Sequence, residues 1–104
     1  MEGESYFRVE AANKLVVRTT RDYWQKIITF KHPAMKTKEE QVKLALRAPD
    51  EIRQSKQNKK VLLYYRKTDD YHTCVVVRAI NGEGFIITTY MTDKIKEGKT
   101  IWKK

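Results

Sequence analysis

Arg66 and Arg78 each sit in or just after a run of β-branched and aromatic residues, "VLLYYRK" and "TCVVVRAI", and Thr88 and Tyr90 lie two apart in a third run, "GFIITTY". Arginine presents a planar fork of donors matched to phosphate oxygens, and tyrosine offers a π-face with a hydroxyl. Basic residues interleaved with aromatics on one strand surface suit single-stranded RNA, with phosphates on the cations and bases on the rings. A solvated face of an antiparallel sheet carries the same residue types. His32 is the titratable residue best suited to proton transfer, because histidine ordinarily changes charge near neutral pH. Its place at the end of a helical stretch equally suits a structural cap, where positive charge is favourable.

Other chemistries find little support. His32 and His72 are the only histidines, forty residues apart, and no Cys–His cluster accompanies them, so no metal site is expected. Asp69 and Asp70 read as a turn. "NGEG" is a hairpin turn with no helix after it, not a phosphate loop. Cys74 lies mid-strand without a neighbouring base and reads as a buried thiol. No nucleophile–His–acid triad can be assembled from local spacing, and no cofactor is implied.

Charge narrows the partner. The 104-residue chain carries a formal net charge of +9, and from Arg53 to Lys67 basic residues occur with no acidic one. Such a field attracts polyanions. RNA is the expected partner, with Arg53, Lys59, Lys60 and Tyr64 as nucleic-acid contacts. The apolar runs are too short to cross a bilayer, and "MEGESYF" lacks the features of a signal peptide. With one cysteine, no internal disulfide can form, and a cytoplasmic location is expected. The length implies a single domain over residues 1–104, with residues 1–5 a flexible N-terminal stretch.

The elements that must position these residues follow from periodicity. "YFRVE" and "KLVVRT" read as two strands around an "AAN" turn. Trp24, Ile27 and Ile28 recur at helical spacing, with Asp22 in the first turn, His32 extending the same face, and Pro33 ending the helix. Thr37 and Glu40 form a capping box for a second helix with Val42, Ala45 and Leu46 as its buried stripe. "APDEI" closes it and "RQSKQNKK" reads as a polar connector. Three strands follow as a meander, and "KIKEGKTIWKK" adds a turn or short edge strand with Ile101 and Trp102 packing back. The fold class is α+β, with two helices on one face of a twisted antiparallel sheet. Alternation assigns Val61, Leu63, Tyr65, Val75, Val77, Ala79, Phe85, Ile87 and Thr89 to the helix side. It leaves Leu62, Tyr64, Arg66, Cys74, Val76, Arg78, Ile86, Thr88 and Tyr90 on the open side. A slip of one residue would invert any strand's assignment.

Taken together, "RTTRDYWQKIITFKHPAM", "VKLALRAPDEIRQSKQNKKVLLYYRK" and "CVVVRAINGEGFIITTYMTDKIKEG" resemble the barnase–EndoU–colicin–RelE superfamily, nearest its phage- and mobile-element-associated PBECR-like branch. The shared features are a His-Pro after the first helix, a "PD-x-I" segment, a tyrosine-rich strand, a basic strand and "I-T-T-Y" near the end. The resemblance spans roughly residues 14 to 103. It implies a RelE-like fold and a metal-independent endoribonuclease of toxin or mobile-element type. Such an enzyme cleaves RNA by 2′-hydroxyl attack to leave a 2′,3′-cyclic phosphate. By position, His32 would transfer protons, Arg66 and Arg78 would stabilise the phosphorane, and Thr88 and Tyr90 would orient the phosphate or leaving group. An acidic inhibitor or antitoxin would be its protein partner. A catalytically silent RNA-binding module and a basic protein-interaction domain are the alternative readings.

Overall fold

In the computed structural model the described residues are 5–95 and 98–104. The expected flexible stretch 1–5 lies outside them except for Ser5, which already begins a strand. β1 (Ser5–Glu10) buries Phe7 and Val9 and pairs antiparallel with β2 (Val16–Thr20), which buries Val17 and Thr19. Thr20 then caps α1 (Arg21–Lys26): its hydroxyl accepts from the Tyr23 amide at 3.1 Å, and Asp22 lies in the first turn. The helix widens into a π-turn over Ile27–Lys31, where the His32 amide donates to Ile27 O at 2.8 Å. Pro33 opens a 3₁₀ turn (Pro33–Thr37) that buries Met35 completely.

α2 (Glu39–Arg47) buries Val42, Ala45 and Leu46, the expected stripe. Its start differs from the capping box. Lys38 is the N-cap with no side-chain bond, because Thr37 is used up as the last residue of the 3₁₀ turn. Tyr6 donates to Glu39 at 2.7 Å, and Lys43 pairs with the same carboxylate at 3.1 Å, tying α2 to β1. Asp50 anchors the exit. Its amide donates to Tyr65 O, its carboxylate accepts from the Lys67 amide, and its carbonyl accepts from the Lys104 amide.

Five further strands follow α2 among the described residues, three of them the expected meander. β3 (Glu51–Gln54) occupies what reads as turn and connector. β4 (Val61–Thr68), β5 (Tyr71–Ile80) and β6 (Glu83–Thr92) form the meander, and β7 (Lys99–Lys103) is the edge strand. The seven strands of the described residues make one sheet in the order β1-β2-β6-β5-β4-β3-β7. It is mixed: β2 runs parallel to β6, while the other neighbours are antiparallel. The helices cover one face, enclosing the main core of Phe7, Val17, Trp24, Ile27, Leu46, Ile52 and their neighbours. Trp102 packs back onto that core, whereas Ile101 is exposed.

Register decides which side chains share the helix-free face, and it corrects the alternation at two places. On β4, Leu62, Tyr64 and Arg66 pair with Val77, Val75 and Thr73 and lie on the helix side, while Leu63 and Tyr65 join Cys74 in a smaller cluster on the other face. Four consecutive buried residues, Leu62 to Tyr65, carry no in–out signal. The two-residue turn at Asp69–Asp70 therefore sets the phase. On β6 the register shifts between Val76 and Val77, and the extra residue, Ile87, reverses the faces on either side. Phe85 thus lies on the helix-free face and Ile86 in the core, while Thr88 and Tyr90 keep their expected side.

Candidate functional site

Rows of paired residues map the helix-free face. One row runs Glu51–Tyr65–Cys74–Tyr90 across β3, β4, β5 and β6. The next, toward one end of the strands, runs Arg53–Leu63–Val76–Thr88, and a third runs Val61–Arg78–Phe85–Arg18–Arg8 into the N-terminal hairpin. On the other side of the first row, Lys67, His72 and Thr92 are paired. Ile95, in the chain leaving β6 for the far edge, packs on the Leu63–Tyr65–Cys74 cluster.

His32 reaches this face around an open strand edge. β2 pairs with β6 only as far as Arg18 and Phe85, so among the described residues the second half of β6 has no strand neighbour on that side. The α1–π-turn segment takes its place. Tyr23 donates its hydroxyl proton to the bulge carbonyl of Ile87 at 2.9 Å, and Lys31 Nζ donates to the same oxygen at 3.2 Å. The π-turn and Pro33 bring the chain down the edge, and the His32 ring lies 5.5 Å from the Tyr90 ring, centroid to centroid. Thr88 Oγ1, buried beside them on β6, finds no hydrogen-bond partner among the described residues.

Of the expected catalytic set, His32, Thr88 and Tyr90 are brought together. Arg78 is on the same face but four residues along β5 from Cys74, about 14 Å away. Arg66 is on the wrong side, its guanidinium donating to Ala48 O at 2.7 Å. The register that removes Arg66 puts its neighbour Lys67 on the helix-free face, opposite His72. Among the expected RNA contacts, Lys59 and Lys60 are exposed, and Lys60 O accepts from the Ala79 amide next to Arg78. Tyr64 is not available: it is wholly buried on the helix side, its hydroxyl donating to Asn13 Oδ1 at 3.0 Å, and burial pushes the phenol up to about 12. Arg53 is on the right face but committed to Glu51, with Nε 2.7 Å from the carboxylate.

Sequence reasoning missed several members of this face. His72 stands one diagonal from Tyr90 across the β5–β6 ladder, about 7–8 Å between backbones; its ring meets Tyr65 edge-on at 6.5 Å, and its Nδ1 is buried without a partner among the described residues. Thr100 and Arg53 both donate to Glu51. Burial raises that carboxyl's pKa, but the two donated bonds and the charges of Arg53 and Lys103 outweigh it and hold the pKa below the ordinary value. Arg18 lies over Phe85, its guanidinium carbon 4.5 Å from the ring centroid. Alternation along β1 and β2 could have placed Arg8 and Arg18, had their hairpin been recognised as part of the same sheet.

Among the described residues no group of three or more His, Cys, Asp or Glu is placed to hold a metal ion, and no helix is long and apolar enough to cross a membrane. No protein-family model, curated protein or solved structure matches the chain.

Proposed function

We propose that this domain is a metal-independent endoribonuclease of toxin or mobile-element type, working on the helix-free face between His32 and His72. The observation that carries the reading is the His32 ring against Tyr90, with His72 on the same face one diagonal away on the β5–β6 ladder, in a chain with net charge +9. Transesterification of RNA needs two proton transfers. One imidazole takes the 2′-hydroxyl proton as O2′ attacks phosphorus, and the other delivers a proton to O5′ as the P–O5′ bond breaks, leaving a 2′,3′-cyclic phosphate. Lys67 beside His72 and Lys31 beside His32 supply positive charge for the phosphorane, and the hydroxyls of Thr88 and Tyr90 orient it. An acidic inhibitor or antitoxin protein covering this face would hold such an enzyme in check.

The test is RNA incubated with purified protein in EDTA, with products scored for 2′,3′-cyclic ends. His32→Asn and His72→Asn should each slow cleavage about a hundredfold or more, while Arg66→Ala, on the other face, should leave it unchanged. RNA that stays intact with folded protein would remove the enzyme reading. A silent RNA-binding module is the second reading. Ile95 favours it, since its packing on the Leu63–Tyr65–Cys74 cluster occupies part of the face where a substrate would lie. That reading expects salt-sensitive RNA binding without products.

A further inference from the structure

We infer that the cleft where β2 parts from β6 is a nucleotide subsite, taking a planar base against its apolar wall and a phosphate on Arg78. The inference rests on the RNA reading above and places one nucleotide outside the His32–His72 centre. The cleft measures about 320 Å³ and is lined chiefly by Arg18, Tyr23, Arg78, Ile80, Phe85 and Ile87. That volume lies at the lower end of ligand pockets, roughly 300–1,000 Å³, enough for a base and part of its sugar. It exists because pairing between β2 and β6 stops at Arg18 and Phe85, after which the chain turns into α1 and leaves the strands unjoined.

The chemistry of the walls selects the ligand. Most of the lining is apolar and two of its side chains are aromatic, so a flat ring can lie there without leaving polar groups unpaired. The charged groups are the two guanidiniums; Thr19, Thr20 and Tyr23 add hydroxyls, of which Thr20's accepts from the Tyr23 amide and Tyr23's donates to Ile87 O. Arg18 is oriented by Glu83, with Nε 3.6 Å from the carboxylate, and by stacking on Phe85. Arg78 is opposite Phe85 on the ladder, is exposed, and joins no ion pair among the described residues. An inorganic anion would use Arg78 and leave the apolar wall wet. A neutral apolar ligand would fill the wall and leave the cation idle. A nucleotide meets both, with its phosphate on the planar donor fork and its base beside aromatic rings. β6 carries Phe85 and Ile87 at the cleft and Thr88 and Tyr90 at the proton-transfer centre. An RNA strand lying along β6 would therefore join the two sites.

The experiment is a titration of ¹⁵N-labelled protein with each 5′-nucleoside monophosphate, with the nucleosides, and with inorganic phosphate, followed by amide shifts. The expected result is saturable movement of amides in the ranges 18–23 and 85–87 with at least one nucleotide, and weaker binding of nucleoside or phosphate alone. Arg78→Gln, an exposed change, should weaken the nucleotide about tenfold or more, and Ile80→Trp should fill the mouth and remove it. Amides that do not move with any nucleotide overturn the inference. So does inorganic phosphate that matches the nucleotides in affinity and pattern. RNA bound equally by the wild type and both variants, without nucleotide shifts, would overturn the subsite and leave the RNA reading intact. Nucleotide shifts with no RNA binding or cleavage would do the reverse.

Discussion

Raising the pH should invert the order of stability between the wild-type chain and Tyr64→Phe. Tyr64 is fully buried and its hydroxyl donates to Asn13 Oδ1 at 3.0 Å. At neutral pH the variant loses that one bond, which costs about 1 kcal/mol. Burial pushes the folded-state phenol from 10.0 up to about 12, with the Asn13 contact pulling more weakly the other way. A raised pKa means that the folded chain holds its proton more tightly than the unfolded one. The corresponding stability is complete below the unfolded value of 10.0 and is lost as pH rises through the folded value of about 12. A gap of about two units corresponds to roughly 2.7 kcal/mol at the limit, and about half of it is gone near pH 11. The two stability curves should therefore cross near pH 11, as the loss from ionisation overtakes the roughly 1 kcal/mol of the hydrogen bond. Urea unfolding followed by far-UV circular dichroism from neutral to strongly alkaline pH measures this, and lysine deprotonation cancels in the difference. A constant difference across the range would refute the reasoning: the phenol would then ionise in water, as the simple alternation of β4 expects.

Other perturbations test other parts of the fold. Gly98 has φ +87°, and a Cβ there would sit 2.6 Å from the Gln54 carbonyl oxygen; Gly82, at φ +81°, has nothing within 4 Å. Gly82→Ala should cost about 1–2 kcal/mol for its conformation alone, and Gly98→Ala more; equal midpoint shifts in urea would contradict the close approach of β7 to β3. Glu51 has a depressed pKa, so its contribution is present above the ordinary carboxylate value and is lost as pH falls through the lower folded value. Glu51→Gln should flatten that acid limb in urea titrations and be less stable than the wild type at neutral pH, because Arg53 loses its partner. Lys67→Gln should reduce RNA cleavage and Arg66→Gln should not; the opposite outcome would mean that β4 has the other face forward. Arg78→Ala should lower the slope of log affinity against log salt for RNA by about one unit.

The parts of the fold legible in the sequence were those with local causes. Asn81 and Gly82 both adopt positive φ, at 53° and 81°, in the two-residue turn that their types announce. The stripe Val42, Ala45, Leu46 is buried as its spacing requires, and Pro33 ends the first helical stretch. What stayed hidden depends on distant partners. Glu51-Ile52-Arg53-Gln54 becomes a strand because β4 and β7 flank it on both sides, not because its residues favour one. The faces of β4 were unreadable because water touches neither side of Leu63 or Tyr64. The reversal at Ile87 needed a bulge that no residue type in "FIITTY" signals. The candidate centre was half visible for the same reason: Thr88 and Tyr90 lie beyond the bulge in phase with the simple alternation, whereas Arg66 lies on β4, where the phase was lost. His72 stood next to a turn and gave no sign that Tyr90 lay across the ladder.

The short parallel seam between β2 and β6 also constrains how the chain can be assembled. Val17 is joined to Gly84, 67 residues later in the chain. During synthesis the N-terminal hairpin and both helices must therefore wait, with Trp24 and Ile27 exposed, until the last strand of the meander has been made. Closing so long a loop is costly before its contacts repay it. The locally connected hairpins of β4, β5 and β6 are the natural nucleus, and the seam closes afterwards as the slow step. The His32 side of the proposed centre and the cleft between β2 and β6 form only when it does, so a half-made chain carries much of the positive charge of the finished domain before it has either.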